Sequence, residues 1–183
     1  DINIGQLCTV FEIGKKYDQQ TAVKKVLEGV NGLIEKSNGF NIDKVLFIAG
    51  NDILHIDNPK RQTTSGTPQD TDGMWYDNFL TAKQLYVDVI EKLMSIADVV
   101  FHFNPSNHDY MSGFMLAEVI QTHFRNCDNV TFDCSINHRK YFLYGNSLIG
   151  TTHGDGAKQI DLGQLMSVEA KKYWVDSEYR YFY

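Results

Sequence analysis

The chain lacks several features that mark common protein classes. Its 183 residues contain no run of roughly 20 apolar residues, so no membrane-spanning helix is predicted. Basic residues are fewer than acidic ones, 17 against 23, and the formal net charge is −6. This balance disfavours a large nucleic-acid footprint held by bulk positive charge. It leaves open a site that holds a single phosphate through a metal ion.

Cysteine is scarce, and its spacing argues against a structural zinc site. There are three cysteines, which is an odd number, and no two of them form a CxxC pair: Cys8, Cys127 and Cys134. Cys127 and Cys134 flank a strand candidate and could pair, but reduced cysteines of a cytosolic protein are the preferred interpretation. The chain also lacks a GxSxG elbow and a GxxxxGK[ST] loop. Their absence weakens the alternative of an α/β hydrolase or nucleotide-binding protein.

Apolar periodicity predicts helices that alternate with strands in the first two thirds of the chain. Helices are predicted over residues 21–36, 78–97, 111–126 and, more weakly, 161–173. Strands are predicted over 44–50, 98–104, 129–135, 140–154 (a hairpin around Gly145-Asn146) and 179–183. The order of these elements predicts an α/β fold with a mixed sheet, or two sheets packed face to face between helices.

A polar stretch over residues 57–73 separates the first predicted strand from the helix that follows. It contains two of the three prolines and has no apolar periodicity. Because this stretch is too long for a simple connection, it is predicted to be a functional loop over a site.

Polar side chains of metal-ligand type follow the predicted strands. They are Asp1 and Asn3 before Gly5, Asp52 and His55 after the first strand, Asn107, His108 and Asp109 after the second, and His153 and Asp155 after SLIGTT. Loops beyond strand ends converge on one crevice in α/β folds, so a single pocket is predicted. Carboxylate, amide and imidazole groups suit divalent manganese, iron or zinc, and such a site can hydrolyse a phosphoester.

Each of these residues also has an ordinary structural explanation. Asp52 can be a turn residue or a cap, Asn107 a turn former, and His153 a loop histidine. Four segments that all end in ligand-type residues are harder to explain in this way. The other three histidines are interpreted as structural: His102, His123 and His138.

Four blocks in chain order resemble the calcineurin-like metallophosphoesterases. The blocks are Asp1-Ile2-Asn3-Ile4-Gly5, Gly50-Asn51-Asp52, Ser106-Asn107-His108-Asp109 and Thr152-His153-Gly154-Asp155. The family's blocks run Asp-x-His-x-Gly, Gly-Asp, Gly-Asn-His-Asp, a histidine block and Gly-His-x-His. The long loop and the ending YRYFY are especially similar to members encoded by phages and prophages. The Asn-His-Asp block is the most specific part of the resemblance.

The resemblance implies a fold and a set of metal ligands. The fold would be α/β, with two mixed β-sheets packed face to face and flanked by helices in four layers. Asp1 would bind a first divalent metal, Asp52 would bridge two metals, and Asn107 and His153 would bind the second. Asn3 stands where the family has a histidine ligand, and its amide oxygen is a weaker donor than imidazole.

The resemblance also implies the residues that act on the substrate. His108 would not bind metal but would face the phosphate, as general acid or as stabiliser of transition-state charge. Asp109 would orient the His108 ring. His55 and Asp57 lie in the same region without an assigned role.

The expected activity is hydrolysis of a phosphodiester by two divalent ions, with Mn²⁺ preferred over Fe, Zn or Ni. DNA or a nucleotide is a possible substrate, and the expected location is the cytoplasm of a bacterial host, with no membrane partner. Residues 1–183 are expected to form one domain that lacks its extreme N- and C-terminal pieces. The alternative is a catalytically weakened member that serves as a binding or structural protein, because Asn3 replaces a histidine and the final Gly-His-x-His block does not appear.

Overall fold

A three-stranded parallel sheet holds the centre of the larger apolar core. The computed structural model describes residues 1–183 and places the strands in the order β1 (Lys44–Gly50), β2 (Asp98–Asn104) and β3 (Val130–Asp133). The two crossovers carry helices α3 (Trp75–Met94) and α4 (Tyr110–His123). Parallel strands need such crossovers, so each helix connects the end of one strand to the start of the next.

The remaining helices lie toward the two ends of the chain. They are α1 (Val10–Ile13), α2 (Gln19–Lys36), α5 (Leu162–Glu169) and α6 (Lys171–Asp176), with a 3₁₀ turn over Gln159–Asp161. Asp18 caps α2 by accepting a hydrogen bond from the N–H of Thr21 at 2.8 Å. None of the helices is both long enough and apolar enough to cross a lipid bilayer.

The second sheet is built around a hairpin. Strands β4 (Arg139–Tyr144) and β5 (Ser147–Thr152) pair antiparallel across the Gly145-Asn146 turn, and β6 (Tyr179–Phe182) pairs parallel to β5. The two sheets meet where β2 faces this hairpin. The Asn104 side-chain amide donates to the carbonyl of Thr151 at 3.0 Å.

Apolar packing explains why the helices lie on the first sheet. Phe47 of β1 packs against Tyr86 of α3 and Phe101 of β2, with ring centroids 5.6 and 5.7 Å apart. These residues belong to a cluster of 21 buried side chains, or pack against it, whereas a smaller cluster joins β5 to α5 and α6. Full burial of one large apolar side chain stabilises a fold by roughly 2 kcal/mol, so the larger cluster dominates.

Most predicted elements are confirmed, with three corrections. The first sheet is wholly parallel, so the expectation of two mixed sheets is wrong for that sheet and right for the second. The single weak helix predicted over 161–173 is divided, and α5 ends before Ala170, which has a non-helical ψ of 33°. The short helix α1 was not predicted, because four residues are too few for a periodic signal. All three cysteines are free.

The turn that leaves β1 is the most constrained part of the backbone. Gly50 has φ +102°, and a Cβ atom there would lie 1.9 Å from the carbonyl oxygen of Asn104. Asn51 and Asp52 follow in the left-handed region, both with φ 57°. Asn and Asp adopt this region more readily than most residues, so the Gly-Asn-Asp sequence suits three left-handed residues in succession.

This close approach predicts that Gly50→Ala destabilises the protein by about 2–4 kcal/mol, because the methyl group forces β1 away from β2. Urea denaturation measures the loss. Gly32→Ala is the matched control, since Gly32 lies within α2 with open space around it, and alanine there should stabilise by about 0.5–1 kcal/mol. A Gly50→Ala variant within about 0.5 kcal/mol of wild type would contradict the close approach.

Candidate metal centre

The N-terminal segment is held beside the turn that follows β1. The N–H groups of Asn3 and Ile4 donate to the carbonyls of Asp52 and Ile53, each at 2.8 Å. The N–H of His55 donates back to the carbonyl of Ile4 at 3.1 Å. This short parallel pairing places the first sequence block, residues 1–5, next to the second, residues 50–52.

The Asp52 side chain lies between the third and fourth predicted segments. It is only 7% exposed. One carboxylate oxygen, Oδ1, accepts a hydrogen bond from the backbone N–H of His108 at 3.2 Å. The other, Oδ2, lies 3.6 Å from Nε2 of His153, which follows β5 in the second sheet. Asp52 therefore faces the junction between the two sheets.

Asp1, Asp52 and His153 form a group that can hold a metal ion. Their ligand atoms all lie within 4.8 Å of one another. The 3.6 Å between Asp52 Oδ2 and His153 Nε2 suits two donors that each lie about 2.1 Å from a shared ion. Neither aspartate forms a salt bridge with lysine or arginine. A cation would therefore fit the geometry, and it would balance the buried charge of Asp52.

The two predicted asparagine ligands have different surroundings. The side-chain oxygen of Asn3 lies 3.2 Å from Nδ1 of His55. Asn107 is exposed, and its backbone carbonyl accepts a hydrogen bond from the N–H of Thr64 at 3.2 Å. Neither side-chain amide forms a hydrogen bond with the other three predicted ligands, Asp1, Asp52 and His153.

His108 lies beside this group, with its ring fixed from one side. Nδ1 is 3.0 Å from the carbonyl oxygen of His55, and the two imidazole rings are 5.2 Å apart. Because a carbonyl can only accept, Nδ1 of His108 must carry a hydrogen and Nε2 is left for other partners. Burial, and then the nearby His108, lower the pKa of His55 to about 4, so His55 is neutral at pH 7.

Asp109 is fully buried and braces the backbone next to the site. One carboxylate oxygen accepts the N–H of Leu54 at 2.7 Å, and the other accepts the hydroxyl of Ser106. Burial raises the pKa of Asp109 to about 7, with smaller contributions from the charges of Asp52 and Asp57. The His108 ring is therefore oriented by the backbone carbonyl of His55. Asp109, which was expected to orient it, instead accepts hydrogen bonds from Leu54 and Ser106.

Asp57 has a structural role that sequence reasoning missed. Its carboxylate accepts hydrogen bonds from the N–H groups of Met111 and Ser112, at 3.1 and 2.7 Å, in the first turn of α4. It also accepts the hydroxyl of Thr64 at 2.8 Å. A carboxylate at a helix N-terminus is favourable, but this one lies more than fifty residues earlier in the chain, so no local pattern reveals it.

The loop over residues 57–73, which was predicted to be a functional loop over a site, packs against the third block. The Thr64 hydroxyl accepts the N–H of Tyr110 at 3.1 Å. An apolar cavity of about 320 Å³ lies beside the same region, between Leu54, Trp75 and Met111. Its lining does not include Asp52 or His153. The cavity and the metal-ligand group are therefore separate features.

The other histidines fit the structural interpretation to different degrees. His102 is buried in β2, where burial lowers its pKa, and its ring meets Phe142 of the second sheet edge-on. His123 is exposed at the end of α4. His138 lies 3.9 Å from the carboxylate of Asp155, near the candidate site.

Comparisons with known proteins found no match to this chain among protein-family models, curated proteins or solved structures. The geometry of the site and the sequence blocks that form it therefore carry the functional assignment.

Proposed function

We propose that the chain is a metal-dependent phosphoesterase that hydrolyses a phosphodiester. The observation that carries the proposal is the convergence of Asp1, Asp52 and His153 from three separate segments, with His108 hydrogen-bonded to Asp52 through its backbone. The Asp52 carboxylate is buried and lies between the His153 ring and the backbone of His108. Such an arrangement suits hydrolysis assisted by a divalent ion.

The proposed cofactor is a pair of divalent ions, with Mn²⁺ preferred over Fe, Zn or Ni, because the donors are oxygens and imidazole nitrogen. Asp52 would be shared by the two ions, Asp1 and Asn3 would bind one of them, and Asn107 and His153 would bind the other. Bound ions of this kind supply a nucleophile at neutral pH and neutralise phosphate charge. Asp52 has two carboxylate oxygens that face different segments, which suits a shared ligand.

His108 would act on the leaving group. Since the carbonyl of His55 fixes the hydrogen on Nδ1, a second proton can reside only on Nε2. The doubly protonated ring would donate this proton to the departing oxygen, or stabilise the charge on the phosphate. Asp109 would contribute by holding Leu54 and Ser106, which lie in the segments that carry His55 and His108, in place.

The proposed substrate class is a nucleotide or nucleic-acid phosphodiester, contacted mainly at one phosphate because the chain is acidic. The same proposal includes the four-layer sandwich, a phage or prophage source, and action in the cytoplasm of a bacterial host. These features rest on the resemblance of the four sequence blocks to metallophosphoesterases.

A second candidate function is binding without efficient catalysis. Its support is Asn3, which stands where the family has a histidine ligand and whose amide oxygen, a weaker donor than imidazole, lies 3.2 Å from Nδ1 of His55. Asn3→His discriminates between the two functions. A large gain in metal binding and hydrolysis would support a weakened enzyme, whereas no gain would indicate that asparagine is a working ligand.

The proposal predicts that Asp52→Asn loses both metal binding and activity. Removal of the charge should weaken Mn²⁺ binding by at least about a hundredfold, since even groups that only support a ligand contribute ten- to a hundredfold. Isothermal titration with Mn²⁺ and hydrolysis of bis(p-nitrophenyl) phosphate measure the two effects. Asp176→Asn, at the exposed end of α6, is the matched control. Wild-type protein that neither binds Mn²⁺ nor hydrolyses the diester would refute the proposal.

His108→Ala should have the opposite pattern. Mn²⁺ affinity should stay close to wild type, because the ring is not a ligand, while kcat falls by roughly a hundredfold or more as proton donation is lost. Single-turnover kinetics at saturating Mn²⁺ measure the loss. The exposed His123→Ala should change neither quantity. Release of metal by His108→Ala would show that His108 is a ligand instead.

A further inference from the structure

The His153 ring lies between two carboxylates. Nε2 faces Asp52 at 3.6 Å, and Nδ1 lies 3.3 Å from Oδ1 of Asp155. Nδ1 is buried and has no aligned hydrogen-bond partner. The Asp155 side chain is 32% exposed, so a small rotation of its carboxylate can align it with Nδ1. Asp155 is thus the available acceptor for a hydrogen on that nitrogen.

The backbone brings Asp155 back toward the ring two residues after it. Gly154 has φ +102°, which reverses the chain directly after His153. A residue with a side chain would be strained there. The turn at Gly154 therefore places the Asp155 carboxylate beside the His153 ring.

A second histidine, His138, also lies close to the Asp155 carboxylate. Its Nδ1 lies 3.9 Å from the same Asp155 oxygen and is likewise buried without a hydrogen-bond partner. A Cβ atom on Gly156 would come within 3.2 Å of this nitrogen, so the glycine gives the ring its space. The ring also lies 6.0 Å from that of Tyr110, next to the third block.

We propose that Asp155 is a positioning residue that keeps the hydrogen of neutral His153 on Nδ1. A neutral imidazole has one N–H, and the two carboxylates compete for it. If the hydrogen were donated to Asp52, it would occupy Nε2 and block the nitrogen that faces Asp52. Asp155 prevents this and leaves the Nε2 lone pair free for a cation. The consequence for metal binding rests on the proposed function, whereas the tautomer does not.

The first test is the tautomer of His153 in metal-free protein, read from ¹⁵N chemical shifts and long-range ¹H–¹⁵N correlations at pH 8.5. Wild type should show a protonated Nδ1 and an unprotonated Nε2. Asp155→Ala should move the hydrogen to Nε2, toward Asp52. His138→Phe, which keeps an aromatic ring beside Tyr110, should give a partial shift. Asp176→Ala is the control and should match wild type. An unchanged tautomer in Asp155→Ala would overturn the proposal.

The second test is Mn²⁺ affinity by isothermal titration of the same variants. Asp155→Ala should bind Mn²⁺ about ten- to a hundredfold more weakly than wild type, with the fold retained by circular dichroism. Equal affinities would overturn the role in metal binding. If wild type binds no Mn²⁺, the proposed function fails, and the tautomer measurement still decides the role of Asp155.

Discussion

The candidate site depends on the close approach of β1 and β2 at their carboxyl ends. The backbone of Gly50 lies so near the Asn104 carbonyl that no side chain fits, and the chain must leave β1 through three left-handed residues. That turn directs the carbonyl of Asp52 toward the N-terminal segment and its carboxylate toward His108 and His153. A straighter exit would separate the four sequence blocks that the turn now joins.

Buried negative charge is the second constraint. Asp52, Asp57 and Asp109 are each less than a tenth exposed, and none of them pairs with lysine or arginine. Asp57 accepts hydrogen bonds from the N–H groups of Met111 and Ser112, whereas Asp109 accepts one backbone N–H, and burial raises the pKa of Asp109 to about 7. Asp52 receives one backbone N–H and faces a histidine. Because an uncompensated buried charge is costly, the arrangement favours a cation beside Asp52.

The sequence predicts the long helices and both central strands because their apolar patterns are continuous, and it places Asp1, Asp52 and His153 in one pocket. It does not predict what depends on distant contacts. The cap that Asp57 provides for α4 spans more than fifty residues, and the His55 carbonyl that orients His108 has no side-chain signature. The parallel character of the first sheet is another such feature, because the order of the predicted elements and the family resemblance both indicated a mixed sheet.

A crystal structure of the protein with Mn²⁺, with the ions located by anomalous scattering, tests the proposed metal centre most directly. We expect an anomalous peak within about 2.3 Å of both Asp52 Oδ2 and His153 Nε2, and a second ion on the other side of the Asp52 carboxylate. Peaks confined to exposed acids, or no peak near Asp52 at saturating Mn²⁺, would contradict it.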